Sequence, residues 1–176
     1  MALVTSPPTT AKPGLATFAC LKRKGNKMVL NPLVHQKQPT GNTCMSACLA
    51  MILDRPVQNV IDEFHDSFES FEMTIGDALH LNGVPFIAGR GANQNITIYH
   101  DYVYVLVAPS LTSPGILHQI LLDTRDGKLV VYDPLKGTGK PYYTLDESDE
   151  SEQAIKLVSW LVDYQVDVFN LGGYDK

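Results

Sequence analysis

No run of this 176-residue chain approaches the ~18 consecutive apolar residues that a membrane-spanning helix needs. Cysteine is scarce. Three residues, Cys20, Cys44 and Cys48, are too few and too irregularly spaced for a disulfide framework, and they suit a reducing compartment in which a thiol persists. Positive charge is short as well: 14 Lys and Arg against 19 Asp and Glu leave a net charge of −5, which argues against a nucleic-acid-binding surface as the main business. The opening "MALVTSPPTTAKPG" lacks a basic start followed by an apolar core, so no secretion signal is expected and the cytoplasm is the expected location. Cys44 and Cys48 form a C-x3-C pair whose distant histidines, His65 and His118, match no structural zinc spacing; neither metal nor cofactor is expected.

What remains is an ordinary globular composition, 44% apolar and 19% charged, long enough for one domain with a proper core. Residues 1–30 read as a flexible or extended leader carrying Cys20 and a basic cluster, "KRKGNK" at 22–27, that behaves as a solvated arm; residues 31–176 read as a single domain. Asn42 and Thr43 are suitable caps for a helix from Thr43 to Asp54 that is apolar on nearly every face and belongs inside the domain. A second helix is expected from Val57 to Phe68, with Val57, Val60, Ile61 and Phe64 on one stripe. A third, "TIGDALHLNG", starts at a threonine cap and stops at Gly83.

The texture then changes. "VPFIAG" and "DYVYVLVAP" are rich in β-branched and aromatic residues and predict strands. "HQILLDTRDGKLVVYDP" predicts a hairpin turning around Arg125, Asp126 and Gly127. The acidic run "DESDESE" at 146–152 is expected to support the amino end of a closing helix through Val162. Helices first and a mostly antiparallel sheet second make an α+β domain, with a cleft between its two halves facing the tip of the first helix.

Cys44 stands at that tip. A free thiol with a pKa of ~8.5 is only a few per cent thiolate at neutral pH, and a helix amino terminus offers unpaired N–H groups and partial positive charge that stabilise the ionised form. A neighbouring histidine would add an ion pair. His65 and His80 fall on helices among polar neighbours and are expected to be exposed, and His35 belongs to the loop before the motif. His100 and His118 both stand at strand starts. His118 is preferred because the strand returning from the hairpin ends in Asp133-Pro134, and the start of one antiparallel strand lies near the end of the next. A carboxylate there would fix the imidazole tautomer and stabilise its charged form. Gln38, six residues before Cys44 across a Pro-Thr-Gly turn, can return its amide to join the Cys44 N–H as an oxyanion donor. Cys48, one turn further along an apolar helix, reads as core.

The order Gln38, Cys44, helix, His118, hairpin, Asp133-Pro134 resembles the bacteriocin-processing cysteine peptidases, papain-like domains that remove double-glycine leader peptides. The matching pieces are "Q-x5-C-x2-ACLAMIL", "DALHLNGV" and "H-x14-DPLKG", together covering roughly residues 35–140. The resemblance implies a papain-like two-lobed fold, Cys44 as nucleophile, His118 as general base, Asp133 orienting it and Gln38 donating to the oxyanion. It also implies a peptide or protein substrate cut after a small residue such as glycine. Two features depart from the family. The chain has neither a membrane span nor a phosphate-binding loop, so a stand-alone domain is implied rather than an exporter, and Met45 follows the cysteine where the family has a small residue, with bulk expected to reshape the site. Gly172-Gly173 is a common pair and carries little weight as a cleavage site. The same triad would serve an acyl transferase, and the same fold without chemistry would serve a silent peptide-binding module.

Overall fold

The computed structural model describes residues 32–89 and 97–167. The leader, its basic cluster, Cys20 and Gly172-Gly173 lie outside the described residues. Helix α1 (Cys44–Leu53) is buried along most of its length, as its all-round apolar sequence requires. It ends at Asp54, whose left-handed backbone (φ 50°) lets the Arg55 N–H return to the Ala50 carbonyl. Helix α2 (Val57–Glu69) buries Val60, Phe64 and Phe68, one side chain per turn, against α1; each such burial is worth ~1.5–3 kcal/mol. Gln36 clips the corner between the two helices: its amide donates to the Arg55 carbonyl and accepts from the Val57 N–H. Helix α3 (Ile75–Leu81) begins with a reciprocal cap, Thr74 and Asp77 each bonding the other's backbone N–H. Between α2 and α3, Phe71 adopts φ 58° with 93% of its surface exposed, a left-handed conformation with no packing to hold it there.

The strands are β1 (Phe86–Ala88), β2 (Val103–Pro109), β3 (Leu117–Asp123), β4 (Val130–Tyr132), β5 (Tyr142–Thr144), β6 (Ala154–Lys156) and β7 (Leu161–Val166). Five form an antiparallel sheet in the order β1-β7-β2-β3-β4; β5 and β6 pair in parallel as a separate ribbon. The sheet is covered on both faces, and the strand alternation shows it. Val103, Val105, Leu121 and Val166 face the three helices, whereas Tyr104, Leu106, Ile120 and Leu122 face Ile98, Leu157 and Tyr143 of β5. The domain is thus α+β, with three helices leading and an antiparallel sheet following.

The expected closing helix is absent. Residues 146–152 form turns, and the segment after them supplies β6 and β7. The reason is local and tertiary at once. Asp146 turns onto Ser148, and Asp149 accepts from Lys136 Nζ and the Tyr142 hydroxyl, so these carboxylates bind turn and neighbour rather than a helix end. Beyond them Val162, Tyr164 and Val166 pack on the sheet, a place for which β-branched and aromatic residues are suited. β7 then enters the sheet between β1 and β2.

Candidate active site

Cys44 is the first residue of α1 and is half-exposed. The expected cap behaves otherwise than its sequence suggests. The Thr43 hydroxyl bonds back to the N–H and carbonyl of Thr40 instead of reaching forward into the helix. The first-turn N–H groups of α1 therefore have no side-chain cap and remain for whatever sits at the tip. Met45, expected to reshape the site, is partly buried and packs against the helical core cluster.

His118 lies near the start of β3 and Asp133 directly after β4. His118 Nε2 is 2.7 Å from Asp133 Oδ1, and both side chains are buried, Asp133 completely. The carboxylate is held from two further directions: Oδ1 also accepts the Leu135 N–H at 2.8 Å, and Oδ2 accepts the Tyr143 N–H at 2.7 Å. Surrounded by N–H donors, the carboxylate acts as acceptor, so the proton on His118 sits on Nε2 and Nδ1 is the nitrogen left for the sulfur. His118 and Cys44 lie close enough to shift one another's ionisation in opposite directions.

The electrostatics follow. Burial works against a charged imidazole. The hydrogen bonds to Asp133 and to Cys44, with the charges of both, outweigh it and push His118 up to about 9. Burial also works against a thiolate. The His118 hydrogen bond, the Gln119 backbone N–H, the His118 charge and the Met45 backbone N–H outweigh it and bring Cys44 below its usual value. Cys48 goes the opposite way: sealed in hydrocarbon and facing the charges of Cys44 and Asp133, its thiol is raised well above the ordinary value. Two cysteines one turn apart thus have opposite chemistry, one an ionisable thiol at a helix tip and the other a core residue.

Gln38 is buried beside this set. Its backbone N–H donates to the Pro134 carbonyl at 3.0 Å, and its side-chain Nε2 donates one hydrogen to the Thr40 carbonyl at 2.8 Å. Among the described residues the second Nε2 hydrogen meets no acceptor, a free N–H of the kind an oxyanion accepts, and Oε1 is buried without a partner as well.

Several contributors were not legible in the sequence. His35 Nε2 meets the Asp133 carbonyl at 2.8 Å, so the loop bearing Gln38 is fastened twice to the segment bearing Asp133. Tyr143, whose N–H holds the Asp133 carboxylate, is anchored by its own hydroxyl on the Pro109 carbonyl at 2.7 Å. Partners 98 and 34 residues apart leave no local signal. Gln119 could have been suspected from its place beside His118. Of the other histidines, His100 bonds the Thr124 carbonyl at the opposite end of the β2-β3 pair, which removes it from the thiol. His80 is exposed, as expected. His65 differs from expectation: it is half-buried with Nδ1 at 3.5 Å from the Ser46 hydroxyl on α1. Among the described residues no cluster of His, Cys, Asp or Glu could hold a metal ion, and no helix is long and apolar enough to cross a membrane. No protein-family model, no curated protein and no solved structure matches the chain.

Proposed function

We propose that the protein is a papain-like cysteine peptidase, akin to the bacteriocin-processing enzymes, with Cys44 as nucleophile, His118 as acid and base, Asp133 as the orienting carboxylate and Gln38 as an oxyanion donor. The observation that carries this reading is the buried 2.7 Å contact between His118 and Asp133, made on an imidazole whose other nitrogen faces an ionisable thiol at a helix tip. A structural cysteine has no use for an imidazole that is itself fixed by a fully buried carboxylate.

In this mechanism the Cys44 sulfur attacks the substrate carbonyl, and the new C–S bond moves charge to the carbonyl oxygen, which the Cys44 N–H and the Gln38 amide receive. Collapse breaks the C–N bond, and the imidazolium of His118 gives its proton to the departing amine. Water then attacks the thioester while neutral His118 takes its proton. The C–S bond breaks, the acid leaves, and the thiolate–imidazolium pair is restored. Cleavage after a small residue follows from the family resemblance, and a set of peptides varied at that position tests it.

The direct test is alkylation of Cys44 by iodoacetamide, read by mass spectrometry on the peptide containing it. The wild type should react as a low-pKa thiol, and His118→Ala should lose that reactivity at neutral pH. Unchanged labelling of His118→Ala would count decisively against the assignment.

A further inference from the structure

The residue after His118 belongs to a polar arrangement that the triad does not use. Gln119 is buried on β3, its backbone N–H pointing at the Cys44 sulfur. Its side-chain Nε2 donates to Asp163 Oδ2 at 2.8 Å, across the intervening strand β2. Reversing the amide would set oxygen against carboxylate, so its orientation is fixed. Among the described residues Gln119 Oε1 is consequently buried with no hydrogen-bond partner.

Asp163 arrives there through a deliberate irregularity. Tyr164 pairs with Val105 and Val162 with Leu106, so Asp163 is the extra residue of a bulge in β7. Bulges turn a side chain out of the regular alternation, and this one directs a carboxylate toward Gln119 on the helix-bearing face. The bulge is clasped from the other side: the Gly89 N–H bonds the Asp163 carbonyl at 2.6 Å, and a Cβ at Gly89 would stand 1.8 Å from the Val162 carbonyl oxygen. Only glycine fits. Asp163 is half-buried, and among the described residues no Lys or Arg forms an ion pair with it. Burial raises its carboxyl above the usual range against the pull of Gln119, the condition of an anion lacking a counter-charge.

We propose that Gln119 and Asp163 form a subsite beside the nucleophile that binds a cationic nitrogen of the substrate, an ammonium or guanidinium within one residue of the bond that is broken. The proposal rests on Cys44 being the nucleophile. A cation there gives Asp163 its missing charge partner, and its N–H groups supply the donor that Gln119 Oε1 lacks. The cation is either a free peptide α-amine or a basic side chain; the chemistry is the same.

Methanethiosulfonates test this without a known substrate. The thiolate attacks the thiosulfonate sulfur, an S–S bond forms and a sulfinate leaves, so the reagent's tail is delivered beside Cys44. The neutral methyl, cationic trimethylammonium-ethyl and anionic sulfonatoethyl reagents are compared by their rates at Cys44. The cationic-to-neutral rate ratio should be about five- to tenfold higher in the wild type than in Asp163→Asn, the size of one partly screened charge pair. An equal ratio in the two proteins overturns the subsite. An unchanged neutral-reagent rate in Asp163→Asn certifies that the variant is folded. Should that rate fall, the wild type alone decides: butylammonium must slow the neutral reagent and butanesulfonate must not, and equal effects overturn the proposal. A neutral reagent that reacts no faster at Cys44 than in the unfolded chain, with no dependence on His118, removes instead the assignment of the nucleophile. Two peptide aldehydes then locate the cation. Tighter inhibition by an amine-blocked lysine aldehyde identifies a side chain, tighter inhibition by a free-amine glycine aldehyde identifies a terminus, and inhibition of neither beyond a blocked glycine aldehyde refutes the subsite.

Discussion

Replacing Asp133 by Asn isolates the part of the site that electrostatics controls. The substitution keeps shape and removes the charge that faces His118 Nε2 at 2.7 Å, and it also turns an amide NH2 toward the Tyr143 N–H that Asp133 Oδ2 accepts. His118 stands at about 9 against an ordinary 6.5, a preference for the charged ring on the order of 3 kcal/mol. Burial opposes that preference, and Asp133 provides its first support through a hydrogen bond and then through charge. Without the carboxylate, burial prevails, His118 falls toward or below 6.5, and the thiolate loses its cation. The Cys44 pKa must then rise. Each unit of rise lowers the thiolate fraction tenfold on the low-pH side, yet returns about threefold in intrinsic nucleophilicity. A rate at one pH therefore understates the change, and the pH profile of iodoacetamide alkylation is the proper assay. The wild-type profile should rise at a pH well below that of a free thiol; Asp133→Asn should move the inflection up by one unit or more toward ~8.5. Coincident profiles in a folded Asp133→Asn protein would refute the electrostatic account of the site.

Gln38→Ala should lower peptidase kcat by about 10²–10³ while leaving iodoacetamide alkylation unchanged, because alkylation forms no oxyanion. Of Cys44 and Cys48, only Cys44 should react in the native protein, and Cys48 should react once denaturant opens the core, as peptide mapping can show. In Cys44→Ala, where His118 titrates without the thiol, stability by urea unfolding should fall as pH rises. The Asp133 hydrogen bond and charge still hold the folded value above the unfolded 6.5, while the Cys44 contributions to the rise are gone, so the stabilisation is complete below pH 6.5 and is lost as pH climbs through a folded value lower than that of the intact pair. Phe71→Gly should raise stability by up to about 1 kcal/mol in urea unfolding, since it relieves a left-handed φ at an exposed residue that packs on nothing.

The separate pieces of the site were legible because each obeys a short-range rule. Cys44 is marked by the switch from a polar turn to an apolar helix. His118 and Asp133 are marked by a hairpin whose turn residues include Gly127, for which the backbone takes φ 71°. The third helix announced itself through the Thr74 cap and Gly83, whose backbone takes φ 68°. The closing strands did not. "DESDESE" before an apolar run has the composition of a helix start, and only the distant partners Lys136 and Tyr142 redirect Asp149 into a turn. The insertion of β7 between β1 and β2 depends on sheet order, which alternation within one strand does not encode. The fastening of His35 and Gln38 to Asp133 and Pro134, and the bulge that carries Asp163, are likewise products of tertiary register.

The central place of β7 has a consequence for timing during synthesis. β1 touches the rest of the sheet through β7, and β2 has β7 as its second neighbour, so the half of the sheet behind the histidine stays open until residues near 166 have left the ribosome. The sulfur is made about 120 residues earlier. A nascent chain thus carries its thiol long before the sheet behind His118 is complete, and the Cys44 of a ribosome-tethered chain stalled short of that strand should react with iodoacetamide as an ordinary thiol.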